Sequence, residues 1–450
     1  MKKKTTMKTT MRGAPQGRCV RLLRGALLLG CLLTGMGGCD RYEEPLPRRD
    51  RLNFPIGLAL HPGGEYLYVV NSNFDSRYSP AQGGTVSVVD TQTFAILEQG
   101  SPFIASFGGA IALNDEASKA YVTTRSGDNL VVLDVMEDGK RLGCEDSSDP
   151  LDTTACSLHR IPDTVGSPEL SADPFGLEVV TVERGSGAER VSVDVVALSY
   201  LSSQLVSAVS LPNQDRSAAS LTSAPIINGG NQIARRPGTL EMYVAGRNTN
   251  QVAVFLPYIN ADGEAEAIFS RRTLTLNTLA NSVDARGIAF DARGEHLYVS
   301  TRRPDALHVF RVTASDPDEG TGVSHELEHT ILLDEQPSDL EVFEVPGTQD
   351  TLVIVPCYDA KKIQIVDATR GVITSVIELD ETPYAFVSEQ GIAGRCGAPG
   401  ETCRGYVSLF TDSPELSTSC DENGVGCGSV AVIDLDPASD RYLQVIAKVR

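Results

Sequence analysis

The sequence predicts an all-β protein: a β-propeller of seven blades, each a four-stranded antiparallel sheet. The main observation is a Tyr-Val pair that recurs in short apolar segments, at Tyr68, Tyr121, Tyr243, Tyr298 and Tyr406. The gaps between these tyrosines are 53, 122, 55 and 108 residues, so two gaps are about double the others. A repeat of about 54 residues with two degenerate members accounts for all four gaps. Six or eight blades remain the alternatives.

The two degenerate members are expected around Leu352-Val353 and between Val193 and Val196. Each unit otherwise follows one order: a strand after a glycine, a turn rich in Gly, Pro and Asp, the Tyr-Val strand, and a polar loop. A third strand then ends in aspartate, and a fourth strand closes the unit. Near-continuous Val and Ile runs indicate strands buried on both faces, as in blades that pack against blades.

The first 38 residues have the pattern of a secretory signal and are assigned outside the fold. Residues 1–24 hold eight Lys and Arg and no acid, and the apolar run from Ala26 to Leu33 is shorter than the roughly 20 residues of a membrane span. Gly37 and Gly38 before Cys39 resemble the lipobox of bacterial lipoproteins, which implies lipidation of Cys39. Secretion with cleavage nearby is the alternative. We therefore divide the chain into a signal (1–38), a lipidated tether (39–52) and a propeller (53–450).

Removal of the signal leaves a strongly acidic chain. Of 39 basic residues eight lie in residues 1–38, so 31 remain against 59 acids, a net charge of about −28. Nucleic acid is not expected as a partner, because its binding requires a basic surface. A membrane is expected to be contacted through the lipid alone, and the partner is expected to be an envelope protein or a small anionic ligand.

The cysteines of the remaining chain favour an oxidising compartment. Local pairs bracket polar loops and predict three disulfides: Cys144 with Cys156, Cys396 with Cys403, and Cys420 with Cys427. Zinc is the alternative for the last four thiols, although their spacing is wider than zinc sites usually show. Cys357 is left over in an apolar segment and is predicted to be a buried free thiol.

Two segments resemble the YVTN family of β-propeller repeats: PIGLALHPGGEYLYVVNSNFD from Pro55 and RGIAFDARGEHLYVSTRRPDALHVF from Arg286. The resemblance extends over nearly the whole chain after the signal and is weakest in units three and seven. It implies a propeller of about seven blades. The family includes binding proteins, surface-layer proteins and lactonase-like or dehydrogenase-related enzymes, so the resemblance leaves function open.

One motif suggests zinc chemistry, the H-E-x-x-H pattern from His325 to His329. On a helix both histidines would face one metal ion. This segment instead alternates and occupies the place of a fourth blade strand, where the two histidines would lie about 13 Å apart. No metal site and no cofactor are therefore predicted. The acidic inserts Glu145 to Asp152 and Asp421 to Asn423 are expected to be solvated loops, with calcium binding as the alternative.

Arginine recurs four residues after the tyrosine in three units, at Arg125, Arg247 and Arg302. These loops should meet on one face of a propeller, where guanidinium groups would bind a carboxylate or phosphate. Lys361 is placed in the corresponding loop of another unit. The alternative is that each arginine pairs with a neighbouring loop acid, such as Asp75, Asp128, Asp305 or Asp359. The repeated aspartates that end third strands, such as Asp90 and Asp134, are expected to cap turns rather than to catalyse.

The sequence thus predicts a lipid-anchored, extracytoplasmic propeller that acts as a noncatalytic binding or scaffold protein in a bacterial envelope, at the periplasm or the cell surface. One alternative is a lactonase-like enzyme acting on an anionic sugar lactone, which would need His or Glu beside the three arginines on the axis. A second alternative is a surface adhesin without an axial pocket.

Overall fold

The computed structural model describes residues 46–72, 74, 78–161, 167–187, 190–276, 283–314, 323–348, 350–398, 400–411 and 427–450. These ranges form 29 β-strands and four 3-10 helices, with no α-helix. No helix within them is long and apolar enough to cross a membrane. The predicted signal, Cys39 and most of the predicted tether lie outside the described residues.

The strands form seven antiparallel sheets in chain order, and each sheet comes from one continuous segment, which confirms the predicted seven-bladed propeller. Blade 1 contains β1 (Pro55–Leu60), β2 (Tyr66–Asn71), β3 (Gly84–Asp90) and β4 (Phe103–Ile104); blade 2 contains β5 (Gly108–Leu113), β6 (Lys119–Thr124), β7 (Asn129–Met136), β8 (Arg141–Gly143) and β9 (Ser157–Leu158); blade 3 contains β10 (Pro174–Arg184), β11 (Val191–Tyr200), β12 (Leu205–Pro212) and β13 (Ser220–Pro225); blade 4 contains β14 (Gly230–Arg235), β15 (Met242–Gly246), β16 (Gln251–Ile259) and β17 (Ala265–Thr275).

The remaining blades follow the same order. Blade 5 contains β18 (Ala285–Phe290), β19 (His296–Arg302), β20 (Asp305–Ala314) and β21 (Val323–Leu332); blade 6 contains β22 (Glu341–Glu344), β23 (Thr351–Cys357), β24 (Lys362–Asp367) and β25 (Val372–Glu378); blade 7 contains β26 (Pro383–Ser388), β27 (Arg404–Leu409), β28 (Ser429–Asp434) and β29 (Val445–Val449). The 3-10 helices are Glu98–Gly100, Glu137–Gly139, Thr154–Cys156 and Arg216–Ala218.

The repeated Tyr-Val pairs lie on second strands, and the two degenerate members also fall where the repeat predicts. Val193 to Val196 belongs to β11, and Leu352-Val353 belongs to β23. The tyrosines are buried, and several hydroxyls reach the next blade. Tyr68 donates to the Gly139 carbonyl at 2.8 Å, and Tyr121 donates to Asp194 Oδ2 at 2.7 Å. The repeated tyrosine therefore stabilises the junctions between blades.

Apolar side chains fill each junction between successive blades. Seven buried clusters correspond to the seven junctions; for example, Tyr121 and Leu130 of blade 2 pack with Leu177 of blade 3. The cluster of Leu67, Val69, Tyr406 and Val430 joins blade 7 to blade 1. Since each blade is built from its own segment, this cluster closes the propeller without a strand shared by the two chain ends.

The outer edge of blade 2 is interrupted. Gly143 at the end of β8 pairs with Asp134, and Ser157 at the start of β9 pairs with Val131, so both short strands extend along β7. Residues 144–156 leave the sheet between them, and the disulfide of Cys144 with Cys156 joins the ends of this insert. The disulfide thus holds the two parts of one broken fourth strand in register.

The other cysteines also match their predictions where they are described. Cys396 and Cys403 form a disulfide in the loop between β26 and β27, and Cys357 is a buried free thiol. Cys427 is disulfide-bonded, and its predicted partner Cys420 lies outside the described residues.

The H-E-x-x-H segment is a strand, as its alternation predicts. It belongs to β21, the outer strand of blade 5, where His325 pairs with Val312 and His329 with Val309. His325 Nε2 lies 3.0 Å from the Tyr243 hydroxyl at the junction with blade 4. No group of three His, Cys, Asp or Glu side chains in the described ranges is arranged to hold a metal, and Asp421 to Asn423 lie outside those ranges.

Three of the aspartates predicted to end third strands cap turns through their side chains. A backbone N–H two or three residues later donates to the carboxylate in the pairs Gln92 to Asp90, Arg370 to Asp367 and Asp436 to Asp434, which confirms the expected turn capping for these three. Asp134 differs: it lies within β7, accepts from the Glu145 N–H 11 residues later and forms an ion pair with Lys119.

Removing the disulfide of blade 2 should destabilise the propeller. We expect Cys144→Ala with Cys156→Ala to lower the free energy of unfolding by about 2–3 kcal/mol, because the cross-link limits the unfolded chain. The measurement is guanidinium-induced unfolding under oxidising conditions. Cys396→Ala with Cys403→Ala is the matched control, and it should cost less because the two cysteines are 7 rather than 12 residues apart. Equal stability of the first variant and the native chain would contradict this role.

Candidate functional site

One cavity of about 260 Å³ collects side chains from all seven blades, so it lies on the propeller axis. Its lining comes from two places in each blade: the end of the second strand and the start of the first strand. The residues are Ile56, Ser72, Phe74, Phe107, Gly108, Arg125, Phe175, Leu201, Asn231, Arg247, Arg286, Arg302, Gln336, Tyr358, Asp359, Tyr384 and Phe410. We call this cavity the axial pocket.

A bulge repeated at the start of the first strand directs side chains into the axial pocket. The pairing of the first strand with the second shifts register within the opening residues of β1, β5, β10, β14, β18 and β26. In five of these strands the second residue lines the pocket: Ile56, Phe175, Asn231, Arg286 and Tyr384. Bulges commonly re-aim side chains in this way beside functional sites.

The three arginines predicted from the repeat meet in the axial pocket. Arg125, Arg247 and Arg302 lie at the ends of the second strands of blades 2, 4 and 5, and all three line the cavity. Lys361 does not belong to the lining. Its ammonium group lies 3.4 Å from the Asp380 carbonyl, and the residue is in the loop between β23 and β24.

A fourth arginine, Arg286, was not predicted. It is the second residue of β18 and lies on the bulge, and only 12% of its side chain is exposed. The repeat did contain a signal, because Arg286 immediately precedes the glycine that begins the strand GIAF. The same position in blades 1, 4 and 7 holds Ile56, Asn231 and Tyr384, all of which line the pocket.

Each predicted arginine contacts the segment that precedes the first strand of the next blade. Arg125 forms an ion pair with Asp173, just before β10. Arg247 Nε lies 3.9 Å from Asp284 Oδ1, just before β18. These two arginines thus pair with neighbouring loop acids, as the alternative expects, although the acids are Asp173 and Asp284 rather than the four examples named from the sequence. The reason is that the next blade brings the segment before its first strand close to the axis.

Asp284 is the central carboxylate of this group. Arg286 Nε lies 2.9 Å from its Oδ1 atom, and Arg303 Nη2 lies 3.4 Å from its Oδ2 atom, in addition to the contact with Arg247. Asp284 is 5% exposed, so one buried carboxylate is shared among three guanidinium groups. It neutralises only part of their charge.

Arg302 lacks such a partner. The residue facing it is Pro337, whose carbonyl accepts a hydrogen bond from Arg302 Nε at 2.8 Å. No carboxylate among the described residues lies within ion-pair distance of Arg302. Burial lowers the pKa of Arg302 to about 10, and the positive charge of Arg286 contributes. Even so, the group remains charged at neutral pH and would gain stability from an anion.

Aromatic side chains form the other part of the lining. Phe410 contacts Phe74 with ring centroids 5.1 Å apart, and it also contacts Tyr358 at 6.2 Å and Tyr384 at 6.4 Å. Phe74 contacts Phe107 at 6.4 Å. Burial raises the pKa of Tyr384, although Arg286 and Arg302 oppose this effect. Its phenol is therefore neutral at physiological pH.

One buried amide in the lining has an unused acceptor. Asn231 is 2% exposed, and its Nδ2 atom donates to the Arg286 carbonyl at 3.3 Å. Its Oδ1 atom is buried and has no hydrogen-bond partner among the described residues. A buried acceptor without a donor is costly, so a hydrogen-bond donor at this oxygen would be stabilising.

A second, smaller cavity of about 150 Å³ lies beyond Ile56, Phe175 and Tyr384, which line both spaces. It also contains Asp339, whose carboxylate accepts hydrogen bonds from Gln232 Nε2 at 2.6 Å and from the Phe386 N–H at 3.0 Å. Burial raises the pKa of Asp339. The axis therefore carries cationic groups in one chamber and a buried acid in the next.

The free energy of unfolding should depend on pH through Glu341, which lies two residues after Asp339. Burial raises its pKa from 4.5 to about 7, and the charge of Asp339 contributes. The folded chain then holds a proton that the unfolded chain has released, so stability falls as pH rises from about 4.5 to 7. Glu341→Gln retains the hydrogen bond from Ser388 and cannot titrate. We expect equal stability at pH 4 and a gain of about 1–3 kcal/mol at pH 8, measured by urea denaturation.

The control for this pH effect is Glu344→Gln, at the exposed end of the same strand. This variant also removes one carboxylate group, and its free energy of unfolding should match that of the native chain at every pH. Parallel stability curves for Glu341→Gln and the native chain would show that Glu341 carries no raised pKa.

No protein-family model matches this chain, and no curated protein matches it. Solved structures do resemble it. A protein from Lactobacillus plantarum is 18% identical, with 72% of this chain and 85% of that chain covered and a TM-score of 0.50. The periplasmic gluconolactonase of Pseudomonas aeruginosa is 17% identical, with coverages of 72% and 84% and a TM-score of 0.50. Hydrazine synthase of Kuenenia stuttgartiensis is 11% identical, with coverages of 88% and 99% and a TM-score of 0.50. Likeness at such low identity establishes the β-propeller fold and no activity.

Proposed function

We propose that this chain is a noncatalytic binding protein that holds a small anionic ligand in the axial pocket. The observation that carries the proposal is Arg302, a half-buried guanidinium group beside Arg247 and Arg286 that has no carboxylate partner among the described residues. A preformed concave site with convergent donors is typical of small-molecule binding. The strongly acidic remainder of the chain would repel anions elsewhere on the surface.

The lining supports binding over catalysis. The lactonase-like alternative required His or Glu beside the arginines; among the described residues the lining contains neither, and Asp359 is the one carboxylate in that part of it. The adhesin alternative required the absence of an axial pocket. The two disulfides are consistent with the proposed extracytoplasmic location, because such bonds persist in oxidising compartments. Lipidation of Cys39 remains our proposal for the membrane anchor.

Replacing Arg302 should weaken anion binding. We expect Arg302→Met to raise the Kd of any anion bound by the native chain at least tenfold, since a hydrogen bond to a charged group contributes about 1.5–3 kcal/mol. Isothermal titration of the detergent-extracted protein measures this effect. Lys361→Met removes a positive charge outside the pocket and should leave the Kd unchanged.

A second variant tests the same guanidinium without removing it. Gln336→Asp places a carboxylate at the position that Asp173 and Asp284 occupy in blades 3 and 5, so it should neutralise Arg302 and also weaken anion binding. The carbonyls of Gln336, Asp173 and Asp284 are equivalent, because each accepts the N–H that ends the neighbouring second strand, from Tyr358, Leu201 and Arg302 respectively. Native Kd values for both variants would refute the proposal. Turnover of a sugar lactone by the native chain would instead favour the enzyme alternative.

The proposed anchor has its own test. We expect Cys39→Ser to abolish incorporation of labelled fatty acid and to release the protein from the membrane fraction, because three acyl chains provide the attachment. Cys31→Ser, within the predicted signal, is the matched control and should remain lipidated. Membrane association of Cys39→Ser without label would show that another segment anchors the chain.

A further inference from the structure

The axial pocket has two chemically different sides that face each other. Aromatic rings come from blades 7, 1 and 2 through Phe410, Phe74 and Phe107. The guanidinium groups of Arg247, Arg286 and Arg302 come from blades 4 and 5. In a closed ring of seven blades, the junction of blades 4 and 5 lies opposite blade 1. A ligand that spans the axis therefore meets cations at one end and aromatic rings at the other.

One guanidinium group in the lining has no carboxylate partner. Asp173 pairs with Arg125, which also lies over the Phe107 ring at 5.9 Å. Asp284 is shared by Arg247, Arg286 and Arg303. Arg302 is therefore the one lining arginine without a carboxylate within ion-pair distance among the described residues, and a single carboxylate group on a ligand would pair with it.

Arg302 is oriented to hold a carboxylate. Its Nε atom is engaged by the Pro337 carbonyl, and its terminal amino groups have no hydrogen-bond partner in the described ranges. Two parallel hydrogen bonds from these groups fit a carboxylate end-on. The cavity, at about 260 Å³, is slightly smaller than the roughly 300–1,000 Å³ typical of drug-sized ligands, which favours a compact molecule.

Asn231 indicates that the ligand also carries a hydrogen-bond donor. Its buried Oδ1 lacks a partner, and its Nδ2 bonds the Arg286 backbone, so this acceptor lies on the cationic side. A hydroxyl group near the carboxylate of the ligand would satisfy it. We infer that the axial pocket binds a small monocarboxylate that carries an aromatic ring and a hydroxyl group next to the carboxylate. This inference rests on the proposed anion-binding function and specifies its ligand class.

Four probes separate these features in titrations of the detergent-extracted full chain. Mandelate has the ring, the carboxylate and the adjacent hydroxyl; phenylacetate lacks only the hydroxyl; gluconate lacks the ring; inorganic phosphate lacks both ring and carboxylate. We expect mandelate to bind most tightly and phenylacetate to bind about tenfold more weakly, as expected for one buried acceptor left unpaired. Gluconate and phosphate should bind at least tenfold more weakly than mandelate.

Two variants test the aromatic side and the cationic side of the axial pocket separately. Phe74→Leu should weaken mandelate about threefold to tenfold, the range expected for an aromatic contact, without affecting gluconate or phosphate. Phe74 is 43% exposed, so the variant should fold, and Phe269→Leu, at 49% exposure on β17, is its matched control. Arg302→Met should weaken every probe. Unchanged melting temperatures confirm that each variant is folded.

The outcomes distinguish the inferred ligand class from the proposed anion-binding function. If gluconate or phosphate binds through Arg302 and mandelate does not, the aromatic ligand class is overturned while anion binding stands. If mandelate and phenylacetate bind equally, the role of Asn231 is wrong. If none of the four probes binds the native chain, both the ligand class and the anion-binding function fail.

Discussion

The structure depends on apolar packing between successive blades, because a single blade cannot bury both of its apolar faces. Each sheet has two apolar faces, and the only way to bury both is to place a blade on either side. Seven clusters do this, and the last joins blade 7 to blade 1 without a shared strand. The same closure brings seven strand ends together at the axis. The pocket is therefore a consequence of how the core is buried.

Electrostatics at the axis follow from this arrangement. Guanidinium groups that converge in a partly buried space repel one another, and Asp173 and Asp284 offset that cost for three of the four arginines that line the pocket. Both acids come from the segment before the next blade's first strand. In blade 6 the equivalent position holds Gln336, and Arg302 donates to the carbonyl of the next residue, Pro337, instead of pairing with a carboxylate. One difference between otherwise equivalent segments thus leaves a positive charge available to a ligand.

The repeat made much of this site predictable. Tyr-Val spacing located every second strand, including the degenerate β11 and β23, and the position four residues later identified Arg125, Arg247 and Arg302. Arg286 was missed because its side chain enters the pocket through a bulge, which changes the alternation of strand faces that a sequence reading assumes. Lys361 was placed in the correct loop, yet its side chain lies outside the pocket. Register and bulges are set by pairing with the neighbouring strand, so local sequence does not report them.

The sequence by itself determined the β-propeller architecture, two local disulfide pairs and the strand conformation of His325 to His329. These follow from periodicity and spacing, which are local properties of the chain. The tertiary structure decided which charges remain unpaired, which side chains share the axis, and that aromatic rings face guanidinium groups there. Those relations join residues from different blades, up to more than 300 positions apart, such as Phe74 and Phe410. They exist only once the seven blades close, because closure alone defines the axis.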